Sequence, residues 1–167
     1  AMNSVHLSPY APFELAALMY SHAIGANIIA NSFETSARIN ELIKTNVEVK
    51  NFHNAAPIQF YENQRYIPQS KFLPRSISIV SNHVPSELAE AAQLLQQDGI
   101  DVHAFEMGQK NYKRLTKEDI QNTDAVITIG KTAQYGILSR RPVYCYDRFG
   151  GPGYITMKNI DRALKYN

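Results

Sequence analysis

Two short segments in the last third of the chain combine glycine, hydroxyl and charge in the order that a phosphate- or sugar-binding turn needs. Gly130-Lys131-Thr132-Ala133-Gln134-Tyr135 follows the apolar run 125–129, and Phe149-Gly150-Gly151-Pro152-Gly153-Tyr154 follows the run 142–147 that ends in Asp147. Gly-Lys-Thr invites comparison with the P-loop, which needs a further glycine ahead of the Gly-Lys pair and a flexible loop between them. Ala125 stands at that position and the intervening residues read as a strand, so the P-loop is excluded. What survives is a helix over 132–139 whose free N–H groups and positive dipole end face the sheet edge, with the Lys131 charge and the Thr132 hydroxyl beside it. A pyrophosphate or a sugar suits that arrangement; so does an ordinary helix start with a surface lysine. In the second segment Gly150, Gly151 and Gly153 allow positive φ and close approach of a ligand, while Pro152 limits the mobility of the turn. Asp147 can accept from a ribose or sugar hydroxyl, or from the N–H groups of its own turn. Phe149 and Tyr154 can stack on a ligand or cover the core. A third turn, Ser81-Asn82-His83, opens on the same edge, where His83 serves an exposed hydrogen-bonding role better than general-base work.

The elements that would carry these turns alternate helix and strand. Residues 12–24 form a helix opened by Pro12 and closed by Gly25, 27–30 a short strand, and Asn31-Ser32 the cap of a helix running to about residue 43. Residues 45–51 alternate as a strand with Val47 and Val49 on one face. Residues 57–75, with three prolines and no sustained period, read as a linker. Beyond it come a strand at 76–80, a helix at 85–98 closed by Gly99, strands at 100–105, 125–129 and 142–147, a turn capped by Thr116, and a last helix from about residue 156 to 166. This order predicts an α/β, Rossmann-like three-layer domain with a short, mostly parallel sheet. The organisation is then 1–56, the end of an amino-terminal region; 57–75, the linker; and 76–167, the nucleotide-binding unit. In open α/β sheets the carboxyl ends of the strands bind ligands, which is where the three turns converge.

Composition removes several classes. A chain of 167 residues with a formal charge of +2 carries no lysine and arginine cluster interleaved with aromatics, so nucleic acid is not the expected partner. The basic residues of 110–114 and Arg140-Arg141 read as solvated helix ends and loops. No apolar run is long enough to span a bilayer and no amino-terminal segment has the charged, apolar, small-residue order of a secretory signal, which predicts a cytoplasmic protein without a transmembrane segment. The five histidines lack the close pairing of a metal site, and Cys145, the one cysteine, reads as a buried thiol in a strand. Neither a metal nor a cofactor is expected. Ala1 ahead of Met2 reads as a tag remnant.

The stretch 76–154, above all 129–135 and 142–154, resembles the carboxyl-terminal domain of bacterial GT-B glycosyltransferases of the capsule and lipopolysaccharide type, and Ile28-Ile-Ala-Asn-Ser32 is similar to the strand that closes their amino-terminal domain. The resemblance implies a nucleotide-sugar donor as substrate, held by Asn82, His83, Gly130, Lys131, Thr132, Gln134, Asp147, Phe149, Gly150, Gly151 and Gly153. It implies a role in bacterial surface polysaccharide synthesis and a missing amino-terminal domain, so that this chain binds donor and transfers nothing alone. Many retaining members carry paired glutamates on the donor loop and helix; Ile127 and Tyr135 stand at the matching places, so the ribose must be held otherwise or the donor must differ. The alternative is a non-catalytic α/β interaction or regulatory module. A receiver-like version lacks the acidic cluster at the first strand end, where Ser81-Asn82-His83 stands, and Phe13, Leu15, Leu18 and Met19 on the first helix offer a face for a partner or a homodimer.

Overall fold

The computed structural model describes residues 2–8, 10–44, 48–53, 55–61, 73–106, 113–148 and 150–166, and its contacts divide the chain into two units, residues 1–54 with 160–167 and residues 55–159. Among the described residues no helix is long and apolar enough to cross a membrane.

In the first unit, strand β1 (Asn3–His6) leads through helix α1 (Pro12–Ala23) to β2 (Asn27–Ala30), and α2 (Phe33–Ile43) leads to β3 (Val49–Asn51). The three strands are parallel in the order β1-β2-β3. Pro12 opens α1, where its missing N–H costs nothing. Ser32 caps α2 by accepting the Thr35 N–H at 3.1 Å, and Lys44, with φ of 54°, ends it. Leu18 of α1, Ile28 and Ala30 of β2, and Ile39 and Ile43 of α2 form the core. Leu18 therefore belongs to the interior rather than to a docking face, whereas Phe13 and Met19 stay exposed. Of the strand expected over 45–51, Thr45 to Val47 lie outside the described residues and β3 starts at Val49.

β1 is a strand that the sequence pattern conceals, because its alternation is inverted. Ser4 and His6 face α1, where the Ser21 hydroxyl lies 2.8 Å from that of Ser4, while Val5 points outward and is 61 % exposed. The chain-terminal helix α6 (Ile160–Tyr166) packs on α2 in this same unit. It starts four residues later than expected, because the Asn159 side chain accepts the Thr156 N–H at 2.7 Å and closes a turn there instead.

The second unit is the Rossmann-like one. Strands β4 (Ser76–Ser81), β5 (Asp101–Glu106), β6 (Ala125–Thr128) and β7 (Val143–Asp147) are parallel, and β8 (Gly150–Tyr154) adds antiparallel to β7, giving the order β5-β4-β6-β7-β8. Helices α3 (Ser86–Gln97), α4 (Lys117–Gln121) and α5 (Lys131–Leu138) make the crossovers. Strand parity separates two cores. Ile77, Ile79 and Ala125 pack under Leu88 of α3, and Val126 packs on the opposite face against Ile120 of α4. On that second face Ala133 of α5 meets Val143 and Cys145. The result is three layers, helix, sheet and helix. Cys145 is buried as expected, and burial raises its thiol pKa.

Three expectations change here. Residues 57–61, placed in a linker, belong to this unit: a 3-10 turn, Ile58–Phe60, inserts Phe60 at 1 % exposure, stacked on Tyr135 at 4.2 Å. Its carbonyl accepts the Ser139 hydroxyl at 3.0 Å. Residues 62–72 of the expected linker lie outside the described residues. Arg141, expected as a solvated residue, is 4 % exposed and donates to the Gln121 carbonyl, tying the end of α5 to α4. Finally, the glycine-rich segment after Asp147 is an edge strand rather than an open loop, since Gly153 pairs with Cys145 and Gly150 with Asp147 across an irregular ladder.

Candidate functional site

From β4 the chain passes through α3 to β5 on one side, and from β6 through α5 to β7 on the other, so the strand order reverses between β4 and β6. The carboxyl ends of two neighbouring strands whose connections run to opposite sides leave a crevice that no crossover fills. A cleft of about 520 Å³ occupies that position in the second unit.

Its walls are built from the strand ends. β4 contributes Val80 and Ser81, followed by Asn82 and His83. The Ser81 hydroxyl accepts the His83 N–H at 3.1 Å and donates to the His83 carbonyl at 2.9 Å, which folds this turn back on itself, and Glu106 at the end of β5 accepts the Val84 N–H at 2.9 Å. β6 contributes Thr128, 2 % exposed, whose hydroxyl donates to the Val80 carbonyl at 2.8 Å and so adds to the pairing of β4 and β6 at their carboxyl ends. Thr132 reaches the cleft from the first turn of α5, and Asp147, 8 % exposed, with Arg148 from the end of β7. Phe60 and Tyr135 form an aromatic floor.

The segment before α4 completes the wall with Lys113, Arg114 and Leu115. Lys113 is held by the Asp119 carboxylate at 2.7 Å and lies 5.8 Å from the Phe105 ring. Asp119 is also the capping-box residue of α4 and accepts the Thr116 N–H at 2.9 Å. Burial pushes its carboxyl pKa upward, but the bonds from Lys113 and Thr116 outweigh burial and hold it below the usual range. The ionisable lining among the described residues leans to the basic side. Arg114 and Arg148 stand with Lys113, whose charge is shared with Asp119, and with the carboxylate Asp147 and His83.

Of the residues the sequence singled out, the fold brings Asn82, His83, Thr132 and Asp147 together around one cleft. Gly130 caps α5 with φ of 60°, a conformation that favours glycine, at the turn behind Thr132. Lys131 does not line the cleft; its ammonium lies 6.0 Å from the Tyr135 ring. Gln134 likewise lies off it, as do Gly150, Gly151 and Gly153 in β8, and Phe149 lies outside the described residues. The side chains that sequence reasoning missed are the cations. Lys113 and Arg114 were part of a basic stretch read as solvated, and Arg148 adjoins Asp147. The available signal was that Arg148 directly follows the strand ending at Asp147 and that Lys113 and Arg114 lie in the connection from β5 to α4.

No family model, curated protein or solved structure matches this chain. The chemistry of the cleft must therefore speak for itself: a cationic, partly aromatic crevice at a switch point accommodates an anion attached to a flat or apolar body. Among the described residues no group of histidine, cysteine and carboxylate side chains could hold a metal ion.

A second constellation tests an enzymatic alternative. In the first unit the His6 Nε2 lies 2.9 Å from the Ser4 hydroxyl and its Nδ1 lies 3.8 Å from Glu14, the order of a serine–histidine–carboxylate relay. His6 is 1 % exposed and Ser4 points under α1 toward Ser21, so no substrate reaches the hydroxyl. Glu14 is engaged in holding the loop after β1, accepting the Leu7 and Ser8 N–H groups at 2.6 and 2.7 Å. This cluster is a polar core.

Proposed function

We propose that the second unit binds a nucleoside-diphosphate sugar in the switch-point cleft, as the donor-binding part of a glycosyltransferase acting in bacterial surface polysaccharide synthesis. The observation that carries this is the coincidence of position and charge: among the described residues, the crevice where α/β sheets take their ligands is lined by Arg114, Arg148 and the Asp119-paired Lys113 with the carboxylate Asp147, in a chain whose net charge is only +2. Arg114 and Arg148 hold the diphosphate, the first turn of α5 faces it with Thr132, and Asp147 accepts from sugar or ribose hydroxyls. The base lies against Phe105, Leu115 and Pro57. With no catalytic metal assigned, the leaving diphosphate is stabilised by fixed cations and helix N–H groups. The family part of this reading rests on the resemblance of 76–154; the ligand class rests on the cleft.

The chain has ten tyrosines and no tryptophan, so its intrinsic emission reports on tyrosine alone. Titration with UDP, GDP and CDP, each beside its uncharged nucleoside, tests the reading. A diphosphate that changes the emission saturably while its nucleoside does not supports it. Equal response to nucleoside and diphosphate removes the cationic wall from the account.

A further inference from the structure

On the α3 face of the second sheet, α3 covers β4 and β5, and a different surface continues beyond it over β7 and β8. Tyr144 and Tyr146 point to this face, and Tyr154 stands directly opposite Tyr144 in the ladder. The rings form one ledge: Tyr144 meets Tyr154 edge to face with centroids 5.0 Å apart, and Tyr146 lies 6.3 Å from Tyr144. Tyr154 is 57 % exposed and the other two are half-buried. Gly153, with φ of 74°, lies beneath the Tyr144 ring. At the end of the ledge stands Glu87, in the first turn of α3, which accepts the Tyr146 hydroxyl at 2.7 Å. That bond is the leading cause that holds the Glu87 carboxyl below its ordinary range and raises the Tyr146 phenol.

Parallel sheets are ordinarily covered by helices on both faces. A helix or an apolar protein surface laid here would strip water from an ionised carboxylate and offer nothing in return, which is costly. A ligand that brings hydroxyl donors to Glu87 and a flat C–H surface to the rings meets both requirements, because tyrosine presents an apolar face with a polar tip and a carboxylate accepts strong hydrogen bonds. The negative charge of Glu87 opposes an anionic ligand. We propose that the Tyr144–Tyr146–Tyr154 ledge with Glu87 is a carbohydrate-binding surface for a neutral oligosaccharide, one pyranose ring stacking on Tyr154 and a neighbouring hydroxyl donating to Glu87. This site is separate from the cleft and stands or falls independently of the donor reading.

The test is an amide chemical-shift titration of the whole chain with maltohexaose, cellohexaose and chitohexaose, each to about 10 mM, a range suited to the millimolar affinity of a shallow site. The expected result is saturable shifts at Tyr144, Tyr146 and Tyr154 with at least one sugar, while Thr132 in the cleft stays unmoved. Tyr154→Ala and Glu87→Gln should each weaken the affinity roughly tenfold, and Tyr154→Phe should retain it, because the ring rather than its hydroxyl does the stacking. Absence of ledge shifts with all three sugars overturns the proposal, as do shifts that neither Tyr154→Ala nor Glu87→Gln alters. Ledge shifts that appear on raising the protein concentration without sugar also overturn it, since the face is then a self-docking surface.

Discussion

His6 is a buried imidazole whose surroundings oppose its charged form. Burial lowers its pKa from 6.5 against the opposing pull of Glu14, so the folded chain resists protonating it. The unfolded chain binds that proton more readily, and stability therefore rises with pH through this interval. The His6 contribution is fully present above about pH 6.5, the ordinary histidine value, and is lost as pH falls through the lower folded value. Urea midpoints between pH 7.5 and pH 5 should drop more for the native chain than for His6→Asn; an equal drop would place the acid sensitivity elsewhere. In the cleft, Arg114→Gln and Arg148→Gln should each weaken diphosphate binding roughly tenfold or more, the worth of a charged hydrogen bond. Lys131→Ala, off the lining, should change it far less, and calorimetry on the three variants separates the cleft cations from the helix-start lysine.

At the scale of elements, two glycines of the second unit, Gly151 and Gly136, leave no room for a Cβ. A Cβ on Gly151 would lie 2.1 Å from the Cys145 carbonyl oxygen, a backbone atom that can move only if the β7–β8 ladder opens. Gly151→Ala should cost about 3 kcal/mol or more. At Gly136 the added Cβ would meet a Val143 methyl at 2.6 Å. There overpacking of about 1–3 kcal/mol is offset by about 1 kcal/mol of helix propensity. Denaturant unfolding should rank Gly151→Ala well below Gly136→Ala, and the reverse order would contradict the edge-strand assignment. These positions also explain what was legible in the sequence. Strands β4, β5, β6 and β7 could be read because their apolar runs end in turn residues, and α2 because Ser32 caps it. β1 could not, since its inward residues are polar, and the packing of Phe60 could not, since a lone aromatic among prolines carries no period. Gly150 to Gly153 signalled a backbone requirement correctly, but sequence alone does not distinguish close approach of a ligand from close approach of a neighbouring strand. The same ambiguity hid Arg141, whose burial is decided by a carbonyl twenty positions away in sequence. Phe60→Ala should cost about 3–5 kcal/mol, as for any buried aromatic, a value no linker residue would show in thermal or urea unfolding.

For the molecule as a whole, the sheet order of the second unit converts scattered residues into one site. Asn82 and His83, Thr132, and Asp147 with Arg148 come from three different strand ends, and only the reversal between β4 and β6 leaves them facing one space. With Lys113 and Arg114 in the same lining the crevice is basic, so affinity for a diphosphate should fall as salt screens the rim charges, while stacking contributions to the same ligand persist. The most direct test of the central claim is a calorimetric titration of the chain with UDP, GDP and CDP and their common sugar conjugates, repeated on Arg148→Gln. Saturable binding of one nucleotide class, weakened roughly tenfold by the substitution, is the predicted result. Failure of every nucleotide to bind, or binding indifferent to Arg148→Gln, would contradict the donor-cleft account.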